Sequence, residues 1–257
     1  MGVNQEMDAK WTRSKGERTR LYIVRHGETD SNDKHRFIGK TDMPLNERGM
    51  QQAACLDEPM RAVNLDRIYS SPYLRTMMTA EHVRAGRDIE IIADKALCEI
   101  DCGEWEGLNR EEIEARWPGM ISIWQFEPEK LQMPGGESFQ EVQERAVNAI
   151  VRIVHENRGR DIGITSHMLT IQLIMCRLLG IPIHEVWNMQ RLENTSVTSI
   201  DIWGNGEFEI IRWGEDSHLP DALKNPYVKI AGFVQRDFKE AYDLGRVEGI
   251  YHFERFA

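Results

Sequence analysis

Leu21-Tyr22-Ile23-Val24-Arg25-His26-Gly27-Glu28-Thr29-Asp30-Ser31-Asn32 (LYIVRHGETDSN) is the stretch that decides the fold. Its first four residues form a short apolar run of the kind found in parallel strands buried on both faces. The run breaks off at Arg25-His26 into a polar loop. A buried strand ending in charged and titratable side chains is the opening unit of an α/β sheet, where ligands bind beyond the carboxyl ends of the strands.

Strands and helices alternate outward from this run. Residues 1–19 are polar and aperiodic and read as a flexible leader. Asn46 is a good N-cap for a helix carrying Ala53, Ala54 and Cys55. Arg67–Ser70 reads as a second strand, and Ser71-Pro72 opens a helix carrying Leu74, Met77 and Met78, with Pro72 suited to its first turn. Ile89–Ile92 reads as a third strand. An excursion follows, about 101–136, with Trp105, Trp117 and Trp124 and a short helix near 110–116. Ser138 and Glu141 form a capping box ahead of Phe139, Val142, Ala146, Ala149, Ile150 and Ile153 at helical spacing. Asp161–Ser166 is a further strand, followed by an apolar helix over 169–179. Ser196–Ile202 and Glu207–Trp213 flank Gly204-Asn205-Gly206 as a hairpin. A weak helix is expected at 234–244. The pattern predicts an α/β protein: a three-layer α/β/α sandwich with a mostly parallel central sheet and an inserted, lid-like excursion. The expected organisation is a leader (1–19), a catalytic domain (20–215) and a C-terminal extension (216–257).

Composition narrows the function. A formal net charge of -10 argues against a general nucleic-acid binder, though a locally basic pocket can still take an anionic substrate. No run is long and apolar enough for a membrane span, and the N-terminus lacks the apolar core of a secretory signal, so a cytoplasmic setting is expected. Cys55, Cys98, Cys102 and Cys176 are scattered and read as reduced thiols. Cys98 and Cys102 have no second pair at zinc-site spacing, so no metal and no cofactor is expected.

If the strands are parallel, the loops after them open at one edge. Arg25 and His26 follow the first strand, Arg75 the second, His167 the strand at 161–166, and Glu99 lies several residues past the third. Paired guanidinium groups suit bidentate phosphate binding. Phosphoryl transfer needs chiefly positioning and charge stabilisation. Arg25, Arg75 and a protonated His167 would supply the positive field. Their charge would bias His26 toward the neutral form, which can attack phosphorus. Glu99 would protonate the leaving oxygen and then activate water. His35 and His184 are weaker candidates for the rim, and Trp117 or Trp124 for a substrate contact.

LYIVRHGETDSN resembles the signature of the histidine phosphatase superfamily, the phosphoglycerate-mutase-like proteins. FIGKTDMPLNERGMQQA (37–53), SSPYLRTMMTA (70–80), LCEIDCGEWEGL (97–108), PGGESFQEV (134–142) and TSH (165–167) resemble later segments of that family in the same order. The resemblance implies His26 as the phosphorylated nucleophile, Arg25, Arg75 and His167 around the phosphate, and Glu99 as proton donor. It implies substrate contacts from Asn32, from the backbone at Ile38-Gly39 and from the amide of Met168. Met168 departs from the family pattern, which has glycine after the second histidine.

The implied activity is hydrolysis of a small phosphorylated metabolite through a phosphohistidine. The alternative within the family is a cofactor-dependent phosphoglycerate mutase. The mutase pattern after the acid is missing here, since Ile100-Asp101-Cys102 follows Glu99, and the excursion has no Arg-Arg pair. Two further readings stand behind these. One is a metallohydrolase with His26, His167 and Glu99 on zinc, disfavoured by the adjacent arginines. The other is a non-catalytic binding module. Neither a nucleic-acid nor a membrane partner is expected, and a homodimer is left open.

Overall fold

In the computed structural model, which describes residues 17–33 and 36–225 and the backbone of 249–250, β1 (Arg18–Arg25) starts three residues before its apolar run. The reason is electrostatic. Arg18 donates to Asp161 at 2.6 Å and to Asp201 at 3.2 Å, and Arg20 donates to the two oxygens of Asp201 at 2.5 and 2.6 Å. These acids lie on the two strands flanking β1, so cross-strand ion pairs draw the polar Arg-Thr-Arg stretch into the sheet. Arg18 and Thr19, expected in the leader, therefore belong to the first strand. Residues 1–16, His35 and the weak helix expected over 234–244 lie outside the described residues.

The elements continue in chain order. After β1 come α1 (Asp30–Asp33), α2 (Glu47–Ala54), α3 (Asp57–Arg61), β2 (Arg67–Ser70), α4 (Leu74–Arg84) and β3 (Ile91–Ala93). The excursion holds α5 (Arg110–Arg116) and α6 (Met120–Phe126). Then follow α7 (Phe139–Glu156), β4 (Asp161–Ser166), α8 (Met168–Leu179), β5 (Val197–Trp203), β6 (Glu207–Glu215) and β7 (Gly249–Ile250). Asn46 caps α2 by accepting the Gly49 amide, and Ser138 and Glu141 close the expected capping box of α7.

The sheet order is β3-β2-β4-β1-β5-β6-β7. β3, β2, β4 and β1 run parallel, and β5, β6 and β7 add antiparallel strands beyond β1. The two faces of β1 bury into different cores. Leu21 and Ile23 join a large core with α7 and α8, while Val24 joins a smaller one with α3 and α4. The period-two alternation of a strand thus builds the expected three layers.

α4 departs from the sequence pattern. It buries Arg75, Thr76, Thr79, Ala80 and Val83, while Leu74 is 47% exposed. Tyr73 is its N-cap, so Pro72 precedes the helix instead of occupying its first turn. A polar face turned inward is explained by what it meets at the carboxyl edge of the sheet. The start of the C-terminal extension also packs on the domain. Leu219 is buried, Gln52 donates to the Leu223 carbonyl at 2.9 Å, and Asn225 donates to Glu193 at 3.1 Å.

Candidate active site

Register brings the site together. Arg25 pairs with Ser166, and Ser70 pairs with Thr165, so β1, β4 and β2 end level with one another. His26 and His167 each stand one residue beyond these ends on adjacent strands. Their ring centroids are 5.1 Å apart at an interplanar angle of 62°, close to the usual strand spacing of about 4.8 Å.

The backbone around His26 is fully used. Its amide donates to the Ser166 carbonyl at 3.0 Å, and its carbonyl accepts from Asn194 Nδ2 at 2.9 Å. Gly27 follows where the loop presses on α2: a Cβ there would lie 2.7 Å from the Gly49 carbonyl oxygen. His26 Nδ1 lies 2.6 Å from the Gly27 carbonyl. A carbonyl can only accept, so Nδ1 carries the proton and Nε2 holds a free lone pair. Burial, and then the charges of Arg75 and Arg25, push the His26 pKa well below the usual histidine range.

Arg25 is buried, and one terminal nitrogen donates to the Leu192 carbonyl at 2.6 Å. Its Nε is buried without a protein partner. A buried N–H left open costs free energy unless an acceptor arrives. Burial, then the charge of Arg191, lowers the Arg25 pKa to about 10, so it stays cationic at neutral pH. Arg75 is 2% exposed and donates to the carbonyls of Thr41 at 2.9 Å and Gly39 at 2.8 Å. Its Nε points at His167 Nδ1, 3.3 Å away.

That last contact corrects one expectation. Arginine Nε only donates, so His167 Nδ1 must accept. Nε2 then carries the proton and donates to Ser71 Oγ at 2.9 Å. His167 is therefore neutral. Burial and the Arg75 charge push its pKa well below the usual histidine range. The positive field comes from Arg25 and Arg75, without a share from His167.

Glu99 reaches the same edge from the loop after β3. Its carboxylate accepts from the Ile100 amide and Thr170 Oγ1, both at 3.1 Å, and from the Leu169 and Thr170 amides, both at 3.3 Å. It thus sits at the amino end of α8. The two amide contacts are longer than a typical N–H···O bond.

The secondary candidates divide. Asn32 Oδ1 accepts from both the amide and the hydroxyl of Thr29, which folds the loop after His26. The Gly39 amide is occupied by the Glu106 carboxylate at 3.1 Å, and the same carboxylate accepts the Thr41 amide at 2.8 Å. Glu106 therefore braces the loop whose carbonyls grip Arg75. A Cβ on Gly39 would lie 1.8 Å from the Ile100 oxygen, so glycine is required there for the close approach. Met168 is the first residue of α8, and its side chain packs on the large core. Trp124 meets Phe37 edge-on at 5.4 Å and Trp187 at a 42° tilt at 4.6 Å, and carries Arg110 over its face at 4.9 Å. Trp117 packs on the large core. His184 is 50% exposed and pairs with Glu185 at 3.7 Å.

Ser71, Thr170, Glu106 and Asn194 also serve this site, though none was singled out in the sequence. Ser71 and Glu106 lie inside the family-like segments 70–80 and 97–108, and Ser71 and Thr170 lie within a few residues of a parallel strand's carboxyl end. Asn194 gave no comparable signal.

The model of the histidine phosphatase superfamily (branch 1) matches residues 21–216, about three-quarters of the chain. The chain belongs to this superfamily. Phosphoserine phosphatase 1 of Hydrogenobacter thermophilus is 32% identical over 169 residues, covering 66% of this chain and 80% of the relative. A probable phosphoglycerate mutase GpmB of Salmonella choleraesuis is 30% identical over 217 residues, covering 77% of this chain and 94% of the relative. Among solved structures, Bacillus stearothermophilus YhfR superposes with a TM-score of 0.75 at 37% identity, covering 78% of this chain and 98% of that one. This superfamily member thus shares its α/β fold with known histidine phosphatases and has both phosphatase- and mutase-named relatives. Among its described residues, no helix is long and apolar enough to cross a membrane.

Proposed function

We propose that this superfamily member hydrolyses small phosphorylated metabolites through a phosphohistidine on His26. One observation carries the reading: the His26 Nε2 lone pair is held bare by the Nδ1–Gly27 hydrogen bond and lies in the field of two buried arginines. Arg25, through its open Nε, and Arg75 hold the phosphoryl oxygens, joined by the Met168 amide and Asn32. Nε2 attacks phosphorus, the ester P–O bond breaks, and Glu99 gives its proton to the departing oxygen. Water then attacks the phosphohistidine. Glu99, now a carboxylate, takes the water's proton, and the P–N bond breaks to release phosphate. The bound phosphoryl dianion offsets the charge of Arg75 and lets His167 share in stabilising the transition state.

The proposed chemistry needs no metal, because the buried Arg25 and Arg75 supply the positive charge a metal ion would bring to the phosphoryl oxygens. All four cysteines are free thiols, consistent with the proposed cytoplasmic setting. A phosphoserine phosphatase among the relatives supports a small phosphorylated substrate.

The test is phosphate release from a panel of phosphomonoesters, with acid-quench trapping of labelled phosphoenzyme. Wild type should turn over and trap label. His26→Asn should fold normally, trap none and lose roughly four orders of magnitude or more in kcat. Undiminished turnover by the variant would remove His26 from the mechanism. The GpmB relative keeps a second reading in view, return of the phosphoryl group to a sugar acid. Isomerisation of 3-phosphoglycerate with bisphosphoglycerate, faster than phosphate release, would favour it.

A further inference from the structure

Arg145 lies on α7, outside the ring of side chains around His26, yet every one of its N–H donors is committed. Nε donates to Glu137 Oε1 at 2.8 Å, and one Nη2 hydrogen to Glu137 Oε2 at 2.9 Å. The second Nη2 hydrogen goes to the Glu99 carbonyl at 3.1 Å. Nη1 donates to the carbonyls of Ala96 at 2.9 Å and Cys98 at 2.8 Å. A guanidinium has five N–H donors in a rigid fork. Two of them fix its own orientation on Glu137, and three grip the backbone of 96–99.

Glu137 closes the arrangement from the other side. Its carboxylate accepts the Asp101 amide at 2.9 Å, and its own amide donates to the Asp101 carbonyl at 2.9 Å. The two segments touch backbone to backbone: a Cβ on Gly136 would lie 2.2 Å from the Asp101 oxygen, and one on Gly103 2.2 Å from the Pro134 oxygen. Residues on both sides of Glu99 are therefore held by one ion pair. Among the described residues, the hydrogen bonds to its side chain come from the Thr170 hydroxyl at 3.1 Å and from backbone amides at 3.1 to 3.3 Å, and from no charged group. The direction in which the carboxyl points is set chiefly by the main chain that carries it.

We propose that Arg145 and Glu137 are positioning residues for the Glu99 proton donor. This rests on the phosphohistidine reading. The pair touches neither substrate nor phosphorus; it holds the Glu99 carboxyl where the leaving oxygen departs. A misplaced acid matters only when the leaving group needs a proton. An alkoxide is a poor leaving group without one, whereas p-nitrophenolate leaves unaided. The ratio kcat/KM reports steps up to departure of the leaving group and excludes the later hydrolysis of the phosphoenzyme, which is common to all substrates.

The experiment measures kcat/KM on p-nitrophenyl phosphate and on an alkyl phosphate such as glycerol 3-phosphate. The proteins are wild type, Arg145→Lys, Glu137→Gln, Glu99→Gln and the double variant Arg145→Lys/Glu99→Gln. Lysine keeps the charge and loses the fork. The expected result for Arg145→Lys is a loss of about tenfold or more on the alkyl ester and under about threefold on the aryl ester. In the Glu99→Gln background the same change should cost nothing further, because residues acting as a unit are not additive. Glu137→Gln keeps the side chain's size but loses the charge and one of the two acceptor oxygens that Arg145 uses. It should give a loss of the same pattern, and it carries the test if Arg145→Lys does not fold. Equal losses on both esters, or a full further loss on top of Glu99→Gln, would overturn the proposal and leave Arg145 a structural residue. If wild type traps no phosphoenzyme and releases phosphate from no ester of the wider panel, the phosphohistidine reading itself fails and takes the proposal with it.

Discussion

Arg75 Nε lies 3.3 Å from His167 Nδ1, with the guanidinium as donor and the imidazole as acceptor. Burial first, and then the same charge that readies the pocket for an anion, keeps the second histidine unprotonated. Replacing Arg75 by Met should therefore do two things. Phosphate or vanadate affinity should fall by about 10- to 100-fold, the value of one or two charged hydrogen bonds. The His167 pKa should rise toward its ordinary value as the nearest positive charge disappears. Imidazole proton NMR on the folded variant reads the second effect. An unmoved His167 resonance would mean that burial alone holds it neutral.

Stability should depend on the same two rings. His26 and His167 are neutral in the fold, with pKa values well below the ordinary 6.5. The unfolded chain binds their protons below that value and the native chain does not. Stability is thus complete above pH 6.5 and is lost as pH falls below it, by up to about 1.4 kcal/mol per pH unit for each ring. Urea unfolding at steps from about pH 7.5 to about 5 measures the slope. His26→Asn should remove one ring's share, and a profile unchanged by the substitution would contradict the assignment.

Gly39 tests the loop that grips Arg75. In Gly39→Ala the new methyl meets the Ile100 oxygen at 1.8 Å and the Cys102 amide at 2.9 Å, so the backbone must shift. Overpacking of this kind costs about 1–3 kcal/mol. It also pulls the Gly39 and Thr41 carbonyls away from Arg75. Both Tm and phosphate affinity should drop. A loss of Tm with phosphate binding intact would show that Arg75 does not depend on this loop.

Met168 offers a contrast. If the first amide of α8 is the phosphate donor, its side chain is dispensable for binding. Met168→Gly should cost about 1 kcal/mol in helix propensity, plus the packing of a partly buried side chain. The Kd for phosphate should stay within about twofold. Calorimetric titration and thermal melts separate the two, and a large change in Kd would tie the side chain itself to the ligand.

Much of this was legible in the residue order. The run 21–24 gave a buried strand, the capping box at Ser138 and Glu141 gave α7, and the strand-end rule brought Arg25, His26, Arg75 and His167 to one edge. What escaped had physical reasons. Arg18 and Thr19 join β1 because Arg18 and Arg20 pair with Asp161 and Asp201, partners more than 140 residues away that no local pattern reveals. The inward face of α4 is polar because it meets the pocket, which reverses the usual meaning of amphipathic spacing. The protonation state of His167 hangs on its burial and on which of its ring nitrogens faces an arginine donor, a matter of geometry that composition cannot carry.

Two stretches of the described chain stand very differently toward His26. The start of β1 lies at the amino edge of the sheet, anchored by Arg18 and Arg20, about 26 Å of strand from His26 at 3.3 Å per residue. Residues 216–225 instead run along Thr195, Glu193 and α2, beside the Asn194 side-chain amide that holds the His26 carbonyl. A bulky label attached within 216–225 would therefore press on the backbone under His26, whereas the same label on Arg18 would stand a full strand's length away.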